Sequence, residues 1–153
     1  MISPAGHECR VLIKSALSFY QLPDADNAIR LLEMITAWES GDFSYVKQKN
    51  GPALGLIQME PNTFKDVCRY LEEKRSHQYP KFYEELPQQP EHLIFDPFFC
   101  FGLARIFFLR FQEPIPDEDQ IELLAQYAKK YWNTPSGKAN WKDYYKAWLR
   151  NYT

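Results

Sequence analysis

The amino-acid sequence predicts a mainly α-helical chain with a small β-excursion, an α+β fold by class. Apolar residues recur at helical spacing over most of the chain, and Ser, Asp and Pro stand where helices would begin. The nearly continuous apolar run at 98–111 predicts a central buried helix. At 153 residues the chain fits one domain, 1–153, with an N-terminal helix in 1–23 and a core carrying the candidate motifs in 24–153. We therefore expect five or six helices around the central apolar helix.

Each predicted helix begins with a capping residue or a proline. Such residues satisfy the free N–H groups of a helix start or suit its first turn. Gly41 marks the end of the second helix, since glycine is common just past a helix C-terminus. The expected starts are, in chain order, Ser3–Pro4, Asp24 or Asp26, Pro61–Asn62, Asp96–Pro97, Asp117 and the segment before Trp141.

Two segments lack helical periodicity. In residues 42–58, the short runs Phe43–Tyr45–Val46 and Leu54–Leu56–Ile57 flank the turn Lys49–Asn50–Gly51, which predicts a small irregular β-hairpin. Residues 76–95 are punctuated by prolines and are predicted to form a loop, with room for one helical turn.

Composition and charge exclude several classes of function. A net charge of −2 with scattered basic residues argues against a nucleic-acid binder. The three cysteines are far apart and the histidines lack ligand spacing, so we expect three reduced thiols, no metal site and no cofactor. The N-terminus shows no apolar signal-peptide segment, and the run 98–111 is too short for a membrane span. We therefore expect no membrane partner.

Glu39 is the candidate catalytic residue. It follows Trp38 and closes the second predicted helix, where the negative end of the helix dipole and an apolar neighbour both disfavour a charged carboxylate. Both effects raise the pKa, and a carboxyl that keeps its proton near neutral pH can protonate a leaving oxygen. The alternative interpretation is an ordinary solvated glutamate at a helix end.

The residues around Glu39 resemble a known family. Glu39–Ser40–Gly41, followed 19 residues after Glu39 by Gln58 in the segment Gly55–Leu56–Ile57–Gln58, is similar to the Glu–Ser and Gly–Leu–Met–Gln motifs of the soluble lytic transglycosylases. That family belongs to the lysozyme superfamily of peptidoglycan-cleaving enzymes. Its third motif, Ala–Tyr–Asn, has two candidates here, around Tyr127 and around Tyr131, and the alternatives stay open.

The resemblance implies a lysozyme-like fold and cleavage of the MurNAc–GlcNAc β-1,4 bond of peptidoglycan. Glu39 would protonate the glycosidic oxygen and then act as base while the sugar's own 6-hydroxyl attacks, leaving a 1,6-anhydro end. Gln58 and one of the tyrosines would orient the substrate and the acid. Ser40 would steady the Glu39 turn, and Gly55 would let a sugar approach the backbone. The resemblance further implies peptidoglycan glycan strands as the partner.

Glu60 departs from the family pattern, which has a methionine at this place. It adds a carboxylate near the proposed site. One interpretation is a second acid or base, which would favour hydrolysis. The other is a solvated charge at a helix N-terminus, where the helix dipole favours it. The closest alternative function is therefore a hydrolytic muramidase of the same fold. A non-catalytic virion or glycan-binding protein and a chitin- or chitosan-active enzyme are further alternatives.

The absent signal peptide and the phage-type C-terminal segment indicate a phage or prophage product. We expect it in the virion, with other virion proteins as partners, or in the host cytoplasm before release to the cell wall.

Overall fold

A computed structural model describes residues 1–44, 46–48, 51–86, 89–134 and 136–153 of the chain. These residues are mainly helical, as predicted, with eight α-helices among them. The third and seventh helices each continue into one π-helical turn, at Leu71–Arg75 and Lys129–Asn133. The helices are α1 (Pro4–Phe19), α2 (Asp26–Glu39), α3 (Pro61–Tyr70), α4 (Pro80–Glu84), α5 (His92–Phe95), α6 (Pro97–Phe108), α7 (Ile121–Ala128) and α8 (Trp141–Tyr152).

The helix count exceeds the predicted five or six because two short helices form within residues 76–95. Each contains only four or five residues, and α4 opens with Pro80. The six helices of eight residues or more are the ones that apolar periodicity indicated. Short helices escape that test, since one turn shows no repeat.

The predicted caps are confirmed at two helices and wrong at two. The Ser3 side chain accepts a hydrogen bond from the Gly6 N–H, and Asp96 accepts one from Phe99. By contrast, Ala25 precedes α2 without a side-chain cap, and α7 begins after Gln120 instead of Asp117. The helix α7 begins later than predicted because residues 117–120 form a turn, which is closed by a hydrogen bond of 3.0 Å from the Gln120 N–H to the Asp117 carbonyl.

The predicted β-hairpin is wrong for the residues that the structure describes. Only two isolated antiparallel bridges occur there, Lys47 with Leu54 and Leu54 with Met59. Gly55 and Gln58 both have positive φ, at 81° and 56°, so the chain reverses within 54–59 and cannot extend as a strand. Tyr45 of the first predicted strand, and Lys49 and Asn50 of the predicted turn, lie outside the described residues.

The centre of the core is shared by α6 and α2. Every residue of α6 from Phe99 to Phe108 is buried, which confirms the predicted central apolar helix. The helix α2, which ends at Glu39, packs against α1, α6, α7 and α8. Among the described helices, none has both the length and the apolar character needed to cross a bilayer.

Candidate active site

A cleft of about 1040 Å³ opens at the C-terminal end of α2. Its walls come from the turn before α3, the C-terminal end of α6, the π-helical turn after α7 and the start of α8. Four of the predicted site residues line it: Glu39, Gln58, Glu60 and Tyr131. The other three, Ser40, Gly55 and Tyr127, are buried behind the wall. A cleft of this volume lies at the upper end of the range of ligand-binding pockets, about 300–1,000 Å³.

Glu39 is a partly buried carboxyl with one hydrogen-bond partner from a distant helix. The Tyr144 hydroxyl of α8 donates to Glu39 Oε1 at 3.1 Å, and the Trp38 ring meets the Tyr144 ring edge-on at 6.5 Å. Burial raises the pKa of Glu39 to about 7, while the weaker influence of the Tyr144 bond lowers it. The carboxyl therefore keeps its proton to near neutral pH, the state that a general acid needs.

Ser40 supports the turn that follows Glu39 and does not reach the cleft. Its side chain is fully buried, donates to the Thr36 carbonyl at 2.6 Å and accepts from the Phe43 N–H at 2.7 Å. Gly41, with φ 60°, then reverses the chain, as the sequence predicted. These contacts fit the steadying role expected of Ser40.

Gln58 and Gly55 form one structural unit in the turn before α3. The Gln58 side-chain amide donates to the Gly55 carbonyl at 2.8 Å, which holds this largely buried side chain at the cleft wall. A Cβ on Gly55 would lie 2.8 Å from the Leu93 carbonyl oxygen and 2.9 Å from Cys100 Sγ. Glycine at this position therefore makes room for Leu93 and Cys100 of the protein itself. The sequence had predicted that it makes room for a sugar.

Glu60 lies in the cleft as an exposed residue directly before α3. Its side chain caps no backbone N–H, although the helix dipole favours a negative charge here. Both interpretations of Glu60, second catalytic group and solvated helix-start charge, are compatible with this position.

Both tyrosines of the predicted third motif form their hydrogen bonds with Glu113, whereas Glu39 is bonded by Tyr144. Tyr127 is 2% exposed and donates to the Glu113 carbonyl, and Tyr131 donates to the Glu113 carboxylate at 2.9 Å. Their rings pack together at 4.6 Å, which agrees with a shared helix face, and only Tyr131 lines the cleft. Tyr144 was not identified as a site residue from the sequence: its spacing from Trp141 and Trp148 is that of one helix face, and no local signal links it to Glu39.

Several residues with strained backbone angles line the cleft. Five non-glycine residues of the described chain have positive φ, and three of them, Asp42, Gln58 and Thr134, line the cleft. The π-helical turn Lys129–Asn133 contributes a further wall. Both features are enriched at functional sites, because strain persists where the fold holds a side chain in a required position.

No protein-family model, curated protein or solved structure matched this chain. The resemblance of the Glu39 and Gln58 motifs to those of the soluble lytic transglycosylases therefore remains a prediction. Across the described ranges, no group of three or more His, Cys, Asp and Glu side chains is arranged to hold a metal ion.

Proposed function

We propose that this chain cleaves the MurNAc–GlcNAc β-1,4 bond of peptidoglycan as a lytic transglycosylase with a lysozyme-like fold. The observation that carries the proposal is the position of the Glu39 carboxyl, which lines a large cleft, accepts a hydrogen bond from Tyr144 and has a pKa raised to about 7 by burial. The motif resemblance at Glu39 and Gln58 supports the choice of substrate. A phage or prophage origin, with delivery to the cell wall, belongs to the same proposal.

The proposed reaction uses one acid twice. Glu39 gives its proton to the glycosidic oxygen as the bond from that oxygen to C1 of MurNAc breaks, and Glu39 becomes a carboxylate. It then takes the proton of the MurNAc 6-hydroxyl while that oxygen bonds to C1, which forms the 1,6-anhydro ring and restores the acid. Tyr144 donates to the carboxylate between these steps, so it stabilises the charged intermediate state of Glu39.

The state of the other cleft carboxylates favours a single-acid reaction. Asp42 receives hydrogen bonds from Arg150 and Asn151, and Asp143 accepts the Asn140 N–H in a capping box. The carboxylates of Asp42 and Asp143 are therefore engaged in contacts within the protein. Among the described residues that line the cleft, Glu60 alone is left as a candidate for the second carboxylate that most glycosidases use.

Glu60 is the observation that favours a second candidate function, hydrolysis by a muramidase. In that reaction a water molecule, activated by Glu60, would replace the 6-hydroxyl, and the product would carry a reducing end. The two reactions differ by one water in product mass, so the products themselves separate them.

The test is digestion of purified sacculi with the wild type, Glu39→Gln and Glu60→Gln, followed by mass spectrometry of the muropeptides. We expect products one water lighter than hydrolysed ones from the wild type and Glu60→Gln, and none from Glu39→Gln. Reducing-end products that disappear in Glu60→Gln would establish the muramidase.

Circular dichroism of each variant shows whether a lost activity reflects the site or the fold. Absence of release by all three folded proteins would contradict both enzymatic functions and favour a glycan-binding or virion role. Cleavage of chitin oligomers without any release from sacculi would instead support a chitin-active enzyme.

A further inference from the structure

Arg110 is a half-buried cation of the cleft wall, and among the described residues its side chain has one hydrogen-bond acceptor. Its Nε donates to the Phe107 carbonyl at 3.3 Å, and the guanidinium carbon lies 4.4 Å from the centroid of the Phe107 ring and 5.4 Å from that of Phe111. A guanidinium has five N–H donors. Within the described chain, no residue accepts a hydrogen bond from either Nη group of Arg110, and no carboxylate forms an ion pair with it.

Two other cations of the cleft are already neutralised. Lys130 bonds the Glu113 carboxylate at 2.6 Å, and Arg150 bonds Asp42 at 3.0 Å. Lys138 also lines the cleft, as an exposed ammonium on the segment before α8. Arg110 differs from all three because its planar group is held against two aromatic rings.

The described neighbours of Arg110 hold its side chain in place but accept no hydrogen bond from its Nη groups. Burial lowers the pKa of Arg110, and the Asp66 carboxylate on α3 raises it without forming an ion pair. The aromatic rings and the nearby C-terminal end of α6 favour a cation at this point. The Arg110 side chain lines the cleft, and its two Nη groups have no acceptor among the described residues. A paired fork of N–H donors matches the two oxygens of a carboxylate.

We propose that Arg110 binds a carboxylate on the muramyl substituent of the glycan strand and so sets the substrate class of the cleft. This inference rests on the proposed function. The carboxylate belongs either to the stem peptide or, in strands stripped of peptide, to the free lactyl group. Neutral chitin oligomers carry neither group. Arg110 is therefore a specificity-determining residue that favours muramyl glycans over chitin.

The test compares the wild type, Arg110→Gln and Arg110→Lys on three substrates. These are peptide-bearing glycan strands, the same strands stripped by an amidase, and chitin oligomers. Arg69→Gln, an exposed residue of α3 outside the cleft lining, is the matched control for loss of one positive charge. We expect kcat/KM of Arg110→Gln to fall about ten- to hundredfold on a muramyl substrate, with no change on chitin. Arg110→Lys keeps the charge without the fork and should lose less.

Each outcome decides the proposal. A loss confined to peptide-bearing strands identifies the stem-peptide carboxylate, and a loss confined to stripped strands identifies the lactyl carboxylate. An equal loss on all three substrates, no loss, or the same loss in Arg69→Gln would overturn it.

A binding measurement tests the role of Arg110 in substrate recognition independently of the proposed cleavage reaction. If the wild type cleaves nothing, calorimetric titration of the wild type and Arg110→Gln with soluble muropeptides still measures the contact. Arg110-dependent binding without cleavage would sustain the recognition site and contradict the proposed function. Binding that does not depend on Arg110 would overturn the recognition site.

Discussion

The hydroxyl of Tyr144 donates a hydrogen bond of 3.1 Å to the carboxyl of Glu39, although 105 residues separate the two in the chain. The contact joins the C-terminal end of α2 to the first turn of α8, across an interface that those two helices share. Burial raises the pKa of Glu39, and the Tyr144 bond lowers it by a smaller amount. The packing of α2 on α8 therefore contributes to the acid strength of Glu39, because it brings Tyr144 to the carboxyl.

The first prediction concerns the pH dependence of cleavage. Because Glu39 must carry its proton to act as the acid and its pKa is about 7, kcat/KM should fall above about pH 7. The measurement is the rate of release from sacculi between pH 5 and 9. A rate that stays level to pH 9 would exclude Glu39 as the acid.

The same pKa predicts a pH-dependent stability. Folded Glu39 keeps its proton up to about pH 7, whereas an unfolded glutamate loses it near 4.5, so the unfolded state binds fewer protons in this window. The free energy of unfolding should therefore fall as pH rises from 4.5 to 7, by at most about 3 kcal/mol from Glu39. In Glu39→Gln this part of the fall should vanish, and denaturant titrations of both proteins at pH 5 and pH 8 measure the difference.

The third prediction is that Tyr144→Phe separates the two roles of Glu39. Loss of the hydroxyl removes the bond that favours the charged carboxylate, so the pKa should rise and the alkaline limb of the rate profile should move to higher pH. The rate itself should fall by roughly tenfold, because the carboxylate formed during the reaction loses its donor. Tyr145→Phe on the same helix is the control. Matching profiles for the two variants would show that the Tyr144 bond has no role in the reaction.

Ser40→Ala tests the support behind Glu39. The substitution leaves the Phe43 N–H without its acceptor and removes one of the two donors to the Thr36 carbonyl, which keeps the Ser40 N–H, so unfolding should become easier by about 1–3 kcal/mol. The exposed Ser44→Ala serves as the control and should change the free energy of unfolding by less than about 0.5 kcal/mol. Urea titration measures both. Equal stability of the two variants would mean that the Ser40 bonds are replaced when they are lost.

Gly55→Ala tests the reason for the glycine in the Gln58 turn. At φ 81° an added Cβ would meet the Leu93 carbonyl and Cys100 Sγ, so we expect a loss of about 1–3 kcal/mol in the free energy of unfolding. The Gln58 side chain, which bonds the Gly55 carbonyl, should move with the turn and lower the cleavage rate. In a Cys100→Ala background the cost should be smaller, because one of the two clashes is gone. A full cost in that background would assign the loss to backbone strain and the Leu93 contact.

Local sequence was enough to predict the helices that have a clear cap and a full apolar face. The cap residues Ser3 and Asp96 act within three residues of their own positions, and Gly41 reverses the chain at its own φ. The β-hairpin was not predictable in the same way. Its apolar run 54–57 suits a strand, but Gly55 is packed against Leu93 from a different part of the chain, which holds 54–59 in a turn.

The amino-acid sequence by itself determined that this protein is mainly helical, that α6 is buried, and that Glu39 ends a helix beside a tryptophan. These properties follow from periodicity and end signals, which act over a few residues. Only the tertiary structure decided that Tyr144 is the partner of Glu39, that Tyr127 is covered, and that Arg110 lines the same cleft with no ion-pair partner among the described residues. Such contacts join residues that are distant in the chain, and their distances depend on how the helices pack.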